Sequence, residues 1–188
     1  MFSAELGDGA ELRPLEPWQA EEFFAHMERA RATVDPWIPW ASVNADPELA
    51  RATLQRYADL QARDAGRLYG IWLDGTLVGG CMFVAFDAKA GSAEMGVWLE
   101  PAAQGRGLIT RAARLLVDWA LDTRGLHRVE WRCRPDNTAS SAVARRLGMR
   151  LDGVLRESYP FRGVRHDTEV WSLVAGDPRR PPEAFAEQ

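Results

Sequence analysis

The sequence is poor in cysteine and lysine, and it has no long apolar run. Its two cysteines, Cys81 and Cys133, form neither a metal-site spacing nor a disulfide framework. No uncharged apolar stretch reaches the roughly 18 residues that a membrane-spanning helix needs, and residues 1–10 lack the basic start and apolar run of a secretory signal. We therefore expect a cytoplasmic protein with reduced cysteines that binds no metal and no membrane.

Positive charge is also scarce. The chain has 27 Asp and Glu against 23 Lys and Arg, a formal net charge of −4, and Lys89 is its one lysine. Proteins that bind nucleic acid through phosphate contacts ordinarily carry an excess of basic residues. The charge balance therefore argues against a nucleic-acid partner, and the length of 188 residues suits one domain with a full core.

Hydrophobic periodicity predicts strands that alternate with helices. Strands are expected at 10–13, 68–73, 77–86, 92–99, 128–134, 151–159 and 166–174, and helices at 17–30, 47–65, 105–122 and 138–147. Pro39 excludes a regular helix in the segment 35–40. The order indicates a single α/β domain over residues 1–176, with a mixed, mostly antiparallel central sheet of about seven strands and about four helices. Residues 177–188 are expected to form a flexible tail.

The most informative segment joins the strand at 92–99 to the helix at 105–122. It contains Gly105 and Gly107, and a helix that starts here leaves its first N–H groups free to point, with the helix dipole, at one spot. Such a spot binds phosphate, because glycine lets phosphate oxygens approach the backbone. The two glycines fit a plain strand-to-helix turn equally well. No Gly-Lys-Ser or Gly-Lys-Thr ends the loop, so a P-loop fits poorly.

This segment resembles the acetyl-CoA-binding motif of the GNAT superfamily of N-acetyltransferases. Gln104 and Gly107 match two motif positions, whereas Ile109 stands where the motif has Gly or Ala, a departure familiar in the RimJ/RimL-type branch. The resemblance to that branch extends in order from about residue 12 to residue 174. The matching segments are 35–40, 129–133, 137–140, 146–149, 153–157 and 166–167.

The resemblance implies a cofactor site between two central strands. These strands, ending near Leu99 and Cys133, should splay apart and admit the pantetheine arm of acetyl-CoA between them. The pyrophosphate should rest on N–H groups at the start of the following helix. The implied cofactor contacts are Val97, Trp98, Leu99, Gln104, Gly105, Arg106, Gly107, Leu108, Ile109, Thr110, Asn137 and Ser140.

The resemblance also implies direct attack of a primary amine on the thioester in a ternary complex. Ser140 matches the serine proposed as the acid for the leaving thiol, although it also fits a helix-start hydroxyl that bonds to nearby backbone. For the base, Tyr159 stands where this branch has a glutamate, and Glu157 lies two residues earlier on the same predicted strand face. Glu94 matches the central-strand glutamate of other GNAT members, and it equally fits a carboxylate paired with an arginine.

The acceptor is expected between the 35–40 segment and the last hairpin, with Trp37, Trp40, Glu94 and Tyr159 as substrate contacts. The resemblance favours the α-amine of a protein or peptide N-terminus. A small aminated metabolite or antibiotic is the alternative acceptor, and a non-catalytic acyl-CoA-binding module is the alternative function, favoured by Tyr159. The branch also suggests a homodimer. His26, on an amphipathic helix, is interpreted as structural.

Overall fold

The computed structural model describes residues 3–179 of the chain. Its strands are β1 (Ala4–Gly7), β2 (Ala10–Pro14), β3 (Arg67–Leu73), β4 (Thr76–Asp87), β5 (Ser92–Leu99), β6 (Arg128–Cys133), β7 (Arg150–Phe161) and β8 (Val164–Val174). Its α-helices are α1 (Ala20–Val34), α2 (Trp40–Val43), α3 (Pro47–Ala62), α4 (Leu108–Asp118) and α5 (Thr138–Leu147). A π-helical turn (Trp119–Thr123) continues α4. The strands form one sheet in the order β1-β2-β3-β4-β5-β6-β8-β7.

The sheet is antiparallel except where β5 and β6 run side by side in the same direction. This confirms the predicted α/β domain with a mixed, mostly antiparallel sheet. The parallel ladder begins with Ser92 opposite Arg128 and ends with Met95 opposite Trp131. Both strands continue beyond this ladder, so their carboxyl ends separate as predicted and leave a gap between them.

Within residues 3–179 the structure has eight strands and five α-helices, whereas seven strands and four helices were predicted. The two additional elements are the short β1 and α2. β1 pairs with β2 across a turn in which Asp8 and Gly9 have positive φ, and a strand of four residues carries too little periodicity to be recognised. α2 follows Pro39, and the buried carboxylate of Asp35 accepts hydrogen bonds from two of its backbone N–H groups. This side-chain cap stabilises one helical turn directly after the proline.

Apolar side chains cover both faces of the sheet. One cluster includes buried residues of α4 and α5, and the other includes buried residues of α1, α2 and α3. β5 contributes to both, since Met95 lies in the first cluster and Trp98 in the second. Among residues 3–179, no helix is both long enough and apolar enough to cross a membrane.

The first residues of the predicted tail lie against the domain. Arg179 forms an ion pair of 2.9 Å with Asp118 and a second one with Asp122, and Asp177 accepts a hydrogen bond from the backbone of Val174. Residues 180–188 lie outside the described part of the chain, so the flexibility expected of them stays a prediction.

Candidate acyl-transfer site

A cleft of about 1090 Å³ opens where β5 and β6 separate. It runs from the start of α4, past the gap between the strands, to the segment around Trp37 and the middle of β7. The predicted site residues that line it are Trp37, Glu94, Val97, Trp98, Leu99, Gln104, Gly105, Arg106, Gly107, Leu108, Ile109, Thr110, Asn137, Ser140 and Tyr159. Trp40 and Glu157 are the two predicted site residues that the structure does not bring to this cleft.

The glycines form the turn at one end of the cleft. Gly107 is the N-cap of α4 with φ of 70°, and Gly105 has φ of 79°, values in the left-handed region that favours glycine. The helix therefore begins at Leu108, three residues later than predicted. The N–H groups of Leu108, Ile109 and Thr110 are the first of α4 and have no intrahelical acceptor. Together with the helix dipole they form a site for an anion.

Arginines surround this anion site. Arg106, Arg111, Arg114 and Arg146 line the same part of the cleft. Arg111 forms an ion pair of 2.7 Å with Asp8 and donates to the carbonyl of Arg106, and Arg114 donates to the carbonyl of Arg146. These bonds hold the loop and α5 against α4, and the guanidinium charges raise the local positive potential.

Arg111 and Arg114 are not among the predicted site residues. A usable signal was present, because positions 107, 111 and 114 follow the i, i+4, i+7 spacing of one helix face. Arg145, next to Arg146 in sequence, packs on an aromatic ring instead: its guanidinium lies 5.0 Å from the ring centroid of Trp171. Which arginines face this end of the cleft therefore depends on the rotation of α4 and α5 about their axes, and the glycine motif alone does not define that rotation.

The open edge of β5 lies at the centre of the cleft. From Val97 to Leu99 this strand pairs on one side with β4, and its other side faces the gap because the ladder to β6 has ended. The Trp98 side chain points away into the core, where its ring centroid is 6.2 Å from that of Phe23. Of Trp98, the backbone and not the side chain therefore faces the gap.

Trp40 also belongs to the core. Its ring centroid lies 5.7 Å from that of Trp98, 6.1 Å from that of Phe23 and 6.2 Å from that of Tyr57. The side chain is buried because α2 begins at this residue and directs it towards α1 and α3. The expected substrate contact through Trp40 is corrected accordingly, whereas Trp37 lines the cleft.

Ser140 and Asn137 lie where α5 begins. Asn137 is the N-cap of this helix, and its Oδ1 accepts a hydrogen bond of 3.2 Å from the backbone N–H of Ser140. The hydroxyl of Ser140 accepts a hydrogen bond of 2.9 Å from Nε1 of Trp131. Ser141, not Ser140, has its hydroxyl near the backbone: Ser141 Oγ lies 3.4 Å from the carbonyl oxygen of Asn137 and 2.8 Å from Oε2 of Glu169, the shorter of the two contacts for its single proton.

Cys133 ends β6 and lines the cleft with its thiol 3.5 Å from the hydroxyl of Ser141. Burial raises the pKa of this thiol above its ordinary value. A protonated thiol is a poor nucleophile. Cys133 is therefore poorly suited to act as a nucleophile in this cleft.

Glu94 is a half-buried carboxylate on β5 in the wall of the cleft. Burial raises its pKa, Arg132 acts in the opposite direction, and Glu130 adds to the rise. Arg132 Nε lies 3.5 Å from Glu94 Oε2, whereas the same guanidinium makes a 2.9 Å ion pair with Glu130. Because Arg132 is bound more closely to Glu130, Glu94 keeps the raised proton affinity that suits a general base.

A bulge in β7 separates Glu157 from Tyr159. Leu155 pairs with Thr168 and Tyr159 with His166, so residues 156–158 stand opposite residue 167 alone. Glu157 lies in this bulge with φ of 50° and is exposed. The alternation that predicted Glu157 and Tyr159 on one face therefore fails, and the structure leaves Glu157 outside the cleft.

Tyr159 and Arg134 hold the segment around Trp37 over the far end of the cleft. The hydroxyl of Tyr159 donates to the carbonyl of Trp37 at 3.4 Å, and the guanidinium of Arg134 lies 5.1 Å from the centroid of the Trp37 ring. Burial raises the pKa of Tyr159, so its phenol stays protonated near neutral pH. Tyr159 therefore closes the wall of the cleft and is unsuited to act as the base.

Within residues 3–179 no group of three or more His, Cys, Asp or Glu side chains is placed to hold a metal ion. The polar groups of the cleft are instead backbone N–H groups, arginines, hydroxyl and amide side chains, and the carboxylate of Glu94. This set suits a phosphate-bearing ligand at one end and a cationic acceptor at the other.

Comparisons with known proteins agree with this geometry. A family model described as an acetyltransferase (GNAT) domain matches residues 10–150. The putative ribosomal N-acetyltransferase YdaF of Bacillus subtilis is 30% identical over 179 residues, covering 93% of this chain and 96% of the relative. The ribosomal-protein-serine acetyltransferase of Escherichia coli is 27% identical over 137 residues, covering 73% of this chain and 76% of that protein.

Among solved structures, RimL, a ribosomal L7/L12 alpha-N-protein acetyltransferase in complex with coenzyme A, superposes with a TM-score of 0.86. It is 23% identical in sequence, and the match covers 94% of this chain and 99% of that one. The likeness in fold therefore extends over nearly the whole of both chains.

Proposed function

The chain belongs to the GNAT acetyltransferase family, and from this premise we propose that it acetylates the α-amine of a protein or peptide N-terminus. Its acyl donor is acetyl-CoA, which supplies a thioester whose acetyl group passes to the amine while the thiol leaves. The observation that carries the proposal is that Ser140 and Glu94 line one cleft with the N-terminus of α4. An acid, a base and an anion site thus share a single cavity.

Backbone groups and arginines fit the donor. The first N–H groups of α4, with those of Gly105, Arg106 and Gly107, would hold the diphosphate, and Arg146 adds positive charge on the opposite wall. The open edge of β5 from Val97 to Leu99 would bind the pantetheine amides in the manner of an added strand. Asn137 faces that edge from the start of α5. Glycine at position 107 is required because its backbone is left-handed and close to the anion site.

Glu94 is the base that we propose. Of the three candidates for this role, Glu94 alone is a carboxylate that lines the cleft. Glu157 is exposed in the β7 bulge, and the phenol of Tyr159 stays protonated. A free α-amine has an ordinary pKa of about 8. A carboxylate whose pKa is raised by burial is therefore suited to take the proton that the ammonium must lose before it attacks.

Ser140 is the acid that we propose, and Trp131 positions it. The indole Nε1 can only donate, so Ser140 Oγ accepts this bond and its own proton is directed elsewhere. An incoming hydrogen bond also stabilises negative charge on the oxygen, which makes the hydroxyl a better donor to a departing sulfur. The same bond fixes the rotamer of Ser140 next to the gap between β5 and β6.

The far end of the cleft supports an amine as acceptor. Trp37 and Tyr159 provide aromatic surface, and Glu94 provides negative charge, a combination that attracts a cationic amine before it is deprotonated. The names of the relatives favour the α-amine of a ribosomal protein among such acceptors. The chemical groups that Ser140 and Glu94 bring to the cleft speak against a module that only binds acyl-CoA.

The cytoplasm is the location that we propose. Cys81 and Cys133 are buried free thiols, as expected in a reducing compartment. The cytoplasm also contains newly made protein N-termini together with acetyl-CoA. The homodimer stays a prediction.

Thiol release from acetyl-CoA in the presence of different acceptors tests the proposed function. Peptides with a free N-terminus, the same peptides with a blocked N-terminus, polyamines and aminoglycosides form the panel. We expect release that depends on the free α-amine. Release with polyamines or aminoglycosides alone would instead identify a small-molecule acetyltransferase, and binding of acetyl-CoA without release across the panel would support the non-catalytic alternative.

A further inference from the structure

The buried carboxylate of Glu100 joins α1 to the end of β5. Its Oε2 accepts hydrogen bonds from Nε of Arg29 at 3.0 Å and from Nδ1 of His26 at 3.1 Å. The backbone N–H of Glu100 donates to the carbonyl of Val78, and its own carbonyl accepts from the N–H of Ala103. Glu100 is therefore fixed through both its side chain and its backbone.

His26 extends this network to Trp98. Nε1 of Trp98 donates a hydrogen bond of 2.9 Å to Nε2 of His26, so Nδ1 is the ring nitrogen that carries the proton and donates it to Glu100. Burial lowers the pKa of His26 to about 4, which keeps the ring neutral as this arrangement requires. Both partners of His26 lie at the carboxyl end of β5.

Arg29 connects the same helix face to β4. It lies three residues after His26, on the same side of α1, and its NH2 group donates to the carbonyl of Leu77 at 2.7 Å. One face of α1 thus holds the start of β4 and the end of β5 together. The loop that leads to α4 begins at the residue after Glu100.

The position of Glu100 implies a purpose beyond stability. Its side chain is only 8% exposed, whereas that of its charged partner Arg29 is 45% exposed, and an ion pair that is open to solvent on one side adds little to stability. The hydrogen bonds from His26 and Arg29 do, however, hold the Glu100 carboxylate in one position. The segment whose geometry it fixes contains Gly105 and Gly107 and leads directly into the first N–H groups of α4.

We propose that Glu100 is a positioning residue, held by His26 and Arg29, which sets the direction of the loop 101–107 and thereby the affinity for the diphosphate of CoA. Glu100 does not itself line the cleft, so it acts through the loop. The inference rests on the proposed function, because it assumes that the diphosphate binds at the start of α4.

Calorimetric titration with CoA tests this inference without an acceptor. Glu100→Gln keeps the size of the side chain and removes its charge, and we expect the Kd for CoA to rise about tenfold, since hydrogen bonds to a charged group are lost. The matched control is Glu22→Gln on the same helix, where Glu22 accepts a hydrogen bond of 2.8 Å from Nε1 of Trp72. The control should leave the Kd for CoA within about twofold of wild type.

A second readout separates positioning from general stability. S-acetylpantetheine lacks the diphosphate, so Glu100→Gln should raise the KM for acetyl-CoA about tenfold and leave the kinetics with S-acetylpantetheine unchanged. Equal losses with both donors, or an unchanged Kd for CoA, would overturn the inference. A wild-type enzyme that uses both donors equally well would overturn the placement of the diphosphate itself. If Glu100→Gln does not fold, Glu100→Asp takes the same tests.

Discussion

Nε1 of Trp131 donates a hydrogen bond of 2.9 Å to Oγ of Ser140. If Ser140 protonates the leaving thiol, Ser140→Ala should lower kcat about 100-fold and leave the Kd for acetyl-CoA unchanged. Trp131→Phe keeps the aromatic ring but removes the donor, and we expect a smaller loss of about fivefold. The measurement is steady-state kinetics of both variants, together with the double variant.

The double variant decides whether Trp131 acts through Ser140. Once Ser140→Ala has removed the hydroxyl, the further change Trp131→Phe should cost almost nothing, because the two losses are not additive. Trp72→Phe is the control, since it removes an indole hydrogen bond to Glu22 outside the cleft. Additive losses would mean that Trp131 supports only the packing of the core.

The turn before α4 provides a test of donor binding. Gly107→Val places a branched side chain at a left-handed position beside the anion site, and we expect the affinity for acetyl-CoA to fall at least about 100-fold. Gly75→Val introduces the same backbone strain at a φ of 79° in the β3–β4 turn, where no atom lies within 4 Å of an added Cβ. Calorimetry on both folded variants should separate them. Similar affinities would contradict the assignment of the anion site.

Glu94 should control the acidic limb of the pH–rate profile. Its pKa is raised by burial, so the unprotonated base should be lost as the pH falls through a value above the ordinary one. In Glu94→Gln we expect kcat/KM to fall about 100-fold at neutral pH and this limb to disappear. Glu157→Gln, which changes an exposed residue of the bulge, should keep the wild-type profile. If Glu157→Gln instead lost the acidic limb and Glu94→Gln kept it, Glu157 and not Glu94 would be the base.

His26 should make the fold sensitive to acid. Its pKa is about 4 in the folded protein against an ordinary value of 6.5, so between these values the unfolded chain binds a proton that the folded one does not. Stability is therefore complete above pH 6.5 and declines towards pH 4, by about 3 kcal/mol. Urea unfolding across this range, compared with His26→Gln, measures the contribution. An equal decline in the variant would assign it to other groups.

Local signals predicted much of the fold. The helix expected from residue 47 begins there as α3, where Asp46 is the N-cap and its Oδ1 accepts a hydrogen bond of 2.8 Å from the N–H of Leu49. The gap beside Leu99 was also predicted, in this case from the resemblance of the motif that follows β5. These features depend on residues close together in the chain or on a motif of fixed spacing.

The remaining features depend on contacts between distant residues. The bulge that exposes Glu157 arises from the pairing of β7 with β8. The alternation of residues within β7 alone does not predict it. Trp40 is buried because its ring packs against Phe23 of α1 and Trp98 of β5. His26 and Glu100 are 74 residues apart in sequence, so no local pattern indicates that they form a hydrogen bond. The sequence indicated a structural role for His26 but not its partner.

The site of acetylation on a defined peptide tests the central claim most directly. A peptide with a free α-amine and one internal lysine, incubated with the enzyme and acetyl-CoA, is fragmented in a mass spectrometer to locate the acetyl group. We expect one acetyl group on the N-terminal nitrogen and none on the same peptide when its N-terminus is blocked. Acetylation of the lysine, or an unmodified peptide with every N-terminal residue tried, would contradict the proposed function.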